Sequence, residues 1–369
     1  MRPFRIDAAI ERAETLPGEV YRDPGWHERA RERVFARSWQ LLLEEPPGPG
    51  EARPVELLPG CLGEPLLLAR EAQGPLRCLS NVCTHRGAVL VDAPCAARAL
   101  RCRYHGRRFG LDGRCLSMPE FAQVEGFPGP QDHLPALPLE RLGPLLWTGL
   151  APAVSFAELT GPLRERLSFL DWSALRPDPA STRDYPLEAN WALYVDNYLE
   201  GFHIPYVHPA LNAALDWDAY RTELLPHGVL QVGLARLDAA RGDGEPCFAP
   251  PPGHPDHGLR VAAYYYWLFP NAMLNFYPWG LSLNLVEPEG PGRLRVRYAA
   301  WVLDPSLRER GAGAGLDQVE REDQAVVRSV MRGVRGRLYQ RGRYSPTREQ
   351  GVHHFHRLLA GALQDEGPA

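Results

Sequence analysis

Two short loops place the tightest limit on what this chain can fold into. Cys83-x-His85, in NVCTHRGAVL, is followed after 16 residues by Cys102-x-x-His105, in LRCRYHGRRF, so each loop delivers one thiol and one imidazole. Two thiolates and two imidazoles suit zinc or an iron–sulfur cluster, and ligand type alone does not decide between them. Spacing helps: zinc fingers usually repeat a CxxC-like knuckle and an HxxxH pair. One Cys and one His per loop instead lets two thiolates hold one iron and two imidazoles the other. Gly87 and Gly106 follow closely on the histidines and would let the loop backbone pack near such a group.

The loops lie in a region, 39–150, of short apolar runs such as PLLLAR and PLLWTGL punctuated by Gly and Pro, which reads as a small β domain. Before it, residues 1–38 read as an arm and a helix, with Trp26, Ala30, Val34 and Phe35 at helical spacing. After it, 151–189 reads as a helical connection with a Pro-containing entry to a larger domain that runs to 369. Strands are expected around LRVAAYYYWLF, AMLNFYP, LSLNLVEP and RLRVRYAAWVL, with turn residues between them, as an antiparallel meander. The Gly/Pro/Asp-rich stretch 236–258 is expected to be a mobile loop near a site mouth. GAGAG at 311–315 lacks the GxGxxG spacing of a dinucleotide loop and reads as a flexible linker. The expected fold class is therefore α+β.

A second constellation lies in NWALYVDNYLEGFHIPYVHP, 190–209. Here one helix is expected to carry Asn197, Glu200 and His203 on adjacent turns, with Pro205 interrupting it so that His203 and His208 converge. Farther on, 316–338 has helical periodicity with Leu316, Val319, Val326, Val327, Val330, Val334 and Leu338 as its apolar stripe. Asp323 falls inside that stripe, whereas Glu320 and Glu322 fall off its centre or away from it. A carboxylate aimed at a core needs a partner, and a metal would satisfy it. Asn197 reads equally as a donor behind the site or as a plain helix residue.

Composition removes several classes. All 41 basic residues are Arg, so Schiff-base and pyridoxal-phosphate chemistry through a lysine, and a GxxxxGK P-loop, are excluded. A net charge of -4 gives no broad attraction for nucleic acid or anionic membrane. No apolar run is long enough to span a bilayer, and MRPFRIDAAIERAE lacks the apolar centre of a secretion signal, so a cytoplasmic enzyme is expected. Seven scattered cysteines do not form a secreted disulfide framework. Cys61, Cys78, Cys95, Cys115 and Cys247 read as small buried or loop residues, and His353, His354 and His356 as packing or solvent-facing.

CTHRG followed by CRYHG closely resembles the Rieske motif of ring-hydroxylating and related oxygenases. NWALYVDNYLEGFHIPYVHP resembles their catalytic-iron motif, and VEREDQAVV the segment that supplies the third ligand. With RVFARSWQ and GRYSPTREQGVHHFHRLL, the resemblance runs along nearly the whole chain in family order. It implies an N-terminal Rieske domain and a C-terminal helix-grip catalytic domain, an antiparallel sheet around a long helix. It implies that Cys83 and Cys102 bind one iron of a [2Fe–2S] cluster, with His85 and His105 on the other. His203, His208 and Asp323 would hold a mononuclear Fe(II) that activates O2.

The resemblance further implies that Glu200 bridges to a cluster histidine of a neighbouring subunit, hence a homotrimer, and that a separate reductase or ferredoxin delivers electrons from NAD(P)H. Asp is commoner than Glu at that bridging place; Glu is similar to the branch acting on choline, carnitine and glycine betaine. Ala192 replaces the usual Lys after Asn-Trp. Expected chemistry is monooxygenation or oxidative C–N cleavage of a quaternary or tertiary amine. Oxygenation of an aromatic or apolar ring is the alternative, and a non-catalytic electron-transfer or zinc-stabilised protein is a third reading from another class. Tyr264, Tyr265, Tyr266, Trp267, Phe269, Phe276, Tyr277 and Trp279 are either ordinary sheet core or, on one face of their strands, rings of a cage for a quaternary ammonium ion.

Overall fold

The computed structural model describes residues 4–236 and 246–364 and divides into two compact units, 39–152 and the remainder. The part of the expected 236–258 loop that spans 237–245 lies outside the described residues.

In the 39–152 unit the strands Glu51–Leu57, Glu64–Arg70 and Leu76–Ser80 form an antiparallel meander, extended at its edges by Cys95–Ala96 and Ala136–Leu137. A second small sheet joins Leu100–Arg101, Arg108–Phe109 and Cys115–Ser117. Alternation along these short strands sends Leu67, Leu79 and Phe109 into one core, which Leu111 of the following turn joins, and Cys83 and Cys102 are buried in that same core. Both thiols are thus anchored by hydrophobic packing at the roots of their loops.

The second unit is built on an eight-stranded antiparallel sheet. The four expected strands are Val261–Leu268, Ala272–Tyr277, Gly280–Gly290 and Arg293–Val302. Arg221–Leu225 and Gly228–Leu234 continue the sheet on one side, and Arg176–Pro177 and Arg183–Leu187 pair with its other end. Register places Gln231, Tyr265, Asn275, Ser282 and Ala300 in one row across five strands. Asn284 pairs with Tyr298 one row farther along. Successive side chains of a strand face opposite ways, so Gln231, Tyr265, Asn275 and Ser282 share a face, with Asn284 and Tyr298 two residues along on it.

The helix Trp191–Tyr198 contacts both the strand Gly280–Gly290 and the long helix Leu316–Val334, while Gln350–Gln364 packs its Phe355 on Trp191 and Trp267. Trp26 and Ala30 of Pro24–Arg33 are buried, as their spacing predicts, and Val34 and Phe35 continue that face.

Three local expectations change. The helix ends at Tyr198, so it carries Asn197 but neither Glu200 nor His203, and Pro205 does not break it. Pro205 and Pro209 instead lie in the first turns of two short helices, Ile204–Val207 and Pro209–Ala214, where a missing N–H costs nothing. The long helix stops at Val334, and its buried face is Glu320, Gln324, Val327, Met331 and Val334; Val330 is 42% and Leu338 98% exposed. The expected stripe was therefore rotated, because polar residues lie on the buried face. Finally, GAGAG is not a loose linker. Ala312 and Gly313 are buried, and a Cβ on Gly313 would lie 2.2 Å from Trp279 Nε1.

Candidate metal centres

The two Cys/His loops are built alike. Cys83 N–H donates to Ala88 O and Cys102 N–H to Arg107 O, both at 2.8 Å. Gly87 N–H donates to Cys83 O and Gly106 N–H to Cys102 O, both at 3.0 Å. These glycines have φ of +70° and +77°, a left-handed conformation that strains any L side chain. A bridge between Val82 and Val89 closes the first loop, and pairing of Leu100–Arg101 with Arg108–Phe109 closes the second. Arg107, buried between them, donates to Thr84 Oγ1 at 2.9 Å and to Asp132 Oδ1 at 3.2 Å, and so ties one loop to the other.

His85 and His105 meet edge to face with centroids 4.8 Å apart, and the Nδ1 of each is buried without a hydrogen-bond partner. Buried polar nitrogens left open carry a desolvation cost, and coordination removes it. Burial pushes the Cys83 thiol up; for Cys102, burial acts the same way but the N–H groups of Tyr104 and His105 outweigh it and the thiol is lowered. Core-anchored thiols and two open imidazole nitrogens fit a two-iron cluster.

The other centre draws on two distant segments. His203, His208 and Asp323 each bring a ligand atom within 4.8 Å of one another. His208 Nε2 lies 3.0 Å and His203 Nε2 3.5 Å from Asp323 Oδ1. The opposite ring nitrogens are braced by carboxylates: His203 Nδ1 lies 2.6 Å from Glu200 Oε1, and His208 Nδ1 2.7 Å from Glu322 Oε2. A carboxylate behind each imidazole fixes the tautomer and aims Nε2 at the point where the three donors converge. Glu200 Oε2 also accepts from the N–H groups of Phe202 and His203, which locks the turn after the helix. Asn197 Nδ2 donates to Asp323 Oδ1 at 2.6 Å, so Asn197 stands behind the carboxylate.

The electrostatics follow from this geometry. Burial works to lower the His203 pKa, but hydrogen bonds to Asp323 and Glu200 outweigh it and raise the value to about 10. His208 is raised against burial by Asp323 and Glu322. Asp323 is held down at about 2 by the two histidines despite its burial. Such a set of donors exchanges protons for a divalent metal.

A cavity of about 100 Å³ opens on these donors, several times the room one water needs. Its walls include Tyr194, Tyr198, Tyr220, Tyr265, Tyr277 and Tyr298. Of the aromatic run, Tyr265 and Tyr277 face the cavity, whereas Tyr264 donates to Asp256 on the opposite side and Tyr266 packs edge to face with Phe276.

Sequence reasoning missed Glu320 and Glu322. The first is 3% exposed and lines the cavity; the second braces His208. Asn275, Ser282 and Asn284 were also missed, although their signal was present as polar side chains in otherwise apolar strand runs. His356 packs, as expected, between Asp196 (2.7 Å) and Tyr344 (2.6 Å).

Residues 49–128 match the Rieske [2Fe–2S] domain and residues 176–365 the ring hydroxylating alpha subunit catalytic domain. The chain belongs to the Rieske ring-hydroxylating oxygenase α-subunit family, whose cofactors are a [2Fe–2S] cluster and mononuclear iron. It is an oxidoreductase, and choline and carnitine monooxygenases are among its relatives. It is 29% identical to choline monooxygenase of Beta vulgaris, covering 98% of this chain and 80% of that one. It is 27% identical to the carnitine monooxygenase oxygenase subunit of Escherichia coli K12, covering 98% and 97%. In fold it is similar to a quaternary ammonium Rieske monooxygenase studied for carnitine oxidation and inter-subunit electron transfer (TM-score 0.76, 22% identity, 98% and 100% covered). It is similar also to naphthalene 1,2-dioxygenase from Rhodococcus (TM-score 0.71, 19% identity, 96% and 95% covered). Among the described residues no helix is long and apolar enough to cross a membrane.

Proposed function

We propose that this chain is the oxygenase component of a system that oxidises a quaternary or tertiary amine by monooxygenation or oxidative C–N cleavage. Its electrons come from NAD(P)H through a separate reductase or ferredoxin. The observation that carries this reading is the cavity itself: three convergent donors open onto a small chamber walled by tyrosines. Aromatic faces attract alkylammonium ions, and a small chamber suits a small amine better than a polycyclic ring. The similarity to choline and carnitine monooxygenases over almost the whole chain supports it.

In this reading Cys83 and Cys102 hold one iron of the cluster, His85 and His105 the other, and His203, His208 and Asp323 hold Fe(II). The bound metals supply one-electron transfer and activation of O2. The chain's own residues do the rest. Glu200 and Glu322 keep the two imidazoles oriented, Asn197 holds Asp323 in place, and the tyrosine walls exclude bulk water and position the substrate. Glu200 also offers its carboxylate to a cluster histidine of an adjacent subunit, as the electron bridge of a homotrimer. The test is oxygen uptake and product analysis with the iron-loaded protein, NADH and a broad-specificity reductase. Turnover of choline-like or carnitine-like amines is expected; turnover of aromatic rings alone would sink the reading.

A further inference from the structure

Apart from its two histidines, the charged side chains that line the cavity among the described residues are acids. The acids are Glu200, Asp323 and Glu320 and the histidines His203 and His208; no arginine among the described residues reaches it. All but Glu320 belong to the donor set or its braces. Glu320 is left facing the space where a substrate must sit.

The polar wall points the same way. Tyr198 donates to Asn275 at 2.7 Å, Asn275 to Asn284 at 3.0 Å and Asn284 to Tyr298 at 2.8 Å, while the hydroxyls of Tyr298 and Tyr194 are directed at Glu320 Oε2. These donors are satisfied inside the protein, and the chain they form ends on a carboxylate. Gln231 fixes its amide by donating to Tyr198 O at 2.7 Å, which leaves its carbonyl oxygen as a buried acceptor without a partner in the same wall. The Tyr265 hydroxyl in that wall is likewise buried without a partner and can donate or accept, so it is the charge of Glu320 that favours a cation over an anion.

We propose that Glu320, held by Tyr194 and Tyr298, is the counter-charge for the substrate, so that the site selects amines with a net positive charge against those that bear their own carboxylate. This rests on the amine reading above and narrows it. Burial pushes the Glu320 carboxyl up to about 8, against hydrogen bonds from Tyr194 and Gln324, with Asp323 raising it further and Arg328 lowering it. Near neutral pH the empty site therefore holds Glu320 protonated, and a cation opposite it favours the ionised form, so the counter-charge appears as the cation binds and the proton leaves.

The experiment is calorimetric titration of the iron-loaded protein without oxygen, using four probes: choline, its uncharged isostere with tert-butyl in place of trimethylammonium, L-carnitine, and indole. Choline is expected to bind at least about tenfold more tightly than the isostere and L-carnitine. In Glu320→Gln the advantage of choline over the isostere should fall below about threefold, while the isostere's own affinity changes little. L-carnitine binding as tightly as choline overturns the charge selection and leaves the amine reading standing. Indole binding more tightly than either amine overturns both. Equal weakening of choline and isostere in Glu320→Gln assigns Glu320 a purely structural role and removes the counter-charge. The wild-type series stands without the variant, should Glu320→Gln fold poorly.

Discussion

The two candidate metal centres solve the same problem, holding imidazoles still, by opposite means. In the Cys/His loops the backbone does the work: paired N–H···O bonds and two left-handed glycines shape each loop, and the ring nitrogens His85 Nδ1 and His105 Nδ1 are left open. At His203 and His208 the surrounding side chains do it, with a carboxylate behind each ring and a third between them. A site shaped by the backbone depends on its loops. One shaped by carboxylates depends on charge, and its donors carry shifted pKa values as a result.

The sharpest way to break this contrast is a pair of variants in separate compact units. Cys102→Ser should abolish the visible absorption of the cluster and leave mononuclear iron in place. Asp323→Ala should abolish mononuclear iron and turnover and leave the cluster spectrum intact; iron analysis with absorption spectroscopy reads both. Loss of both metals in either variant would show that the centres are not independently built. Next in size is Glu200→Gln, which, loaded with excess iron to offset the lost brace on His203, should hold both metals yet uncouple cluster oxidation from product formation in single-turnover experiments. Unchanged product formation would remove the bridging role. Glu322→Gln tests the brace alone: iron affinity should fall about 10- to 100-fold, measured by competition with a chelator.

The contrast also explains what could be read from the sequence. The Cys/His loops were legible because all four residues lie between 83 and 105 and their spacing is the signal. The second centre was legible in larger part: His203, His208 and Asp323 could be named, with Glu200 and Asn197 beside them, but the brace Glu322 could not. Glu200 sits beyond the helix end at Tyr198, so its contact with His203 comes from a turn rather than from helical spacing. Glu320 was hidden because helical periodicity counts apolar residues, and this helix buries Glu320 and Gln324 on its inner face. The strands Arg221–Leu225 and Gly228–Leu234 escaped because HG and GDGEP punctuate a stretch with little alternation. GAGAG shows the limit of composition: Gly313 is required by closeness to Trp279 rather than by a need to flex.

That glycine offers a smaller test of the same division. Gly313→Ala forces a Cβ into the Trp279 ring, which stacks on Tyr277 at 5.4 Å in the cavity wall. Overpacking of this kind costs about 1–3 kcal/mol, readable as a shift in the urea midpoint. The cluster spectrum should not change, because Gly313 and the Cys/His loops belong to different units. A spectrum altered along with stability would mean that the units do not respond separately.

The last test concerns charge in the carboxylate-built centre. In the folded, iron-free chain Glu320 stays protonated up to about 8, whereas its ordinary value is 4.5. Between those values the folded state holds the proton that the unfolded chain has released, so folding stability contributed by this group is complete below about 4.5 and is lost as pH rises through about 8. Wild-type stability relative to Glu320→Gln should therefore decline between pH 5 and pH 8.5, the two midpoints converging or crossing as the pH rises. Denaturation of both proteins at the two pH values reads this directly. Iron in the neighbouring site adds positive charge that offsets the pull of Asp323 on Glu320, so the decline should be shallower in the iron-loaded protein. An equal slope with and without iron would place Glu320 outside the electrostatic reach of the metal, and would weaken the case for it as the counter-charge of a substrate held between the two.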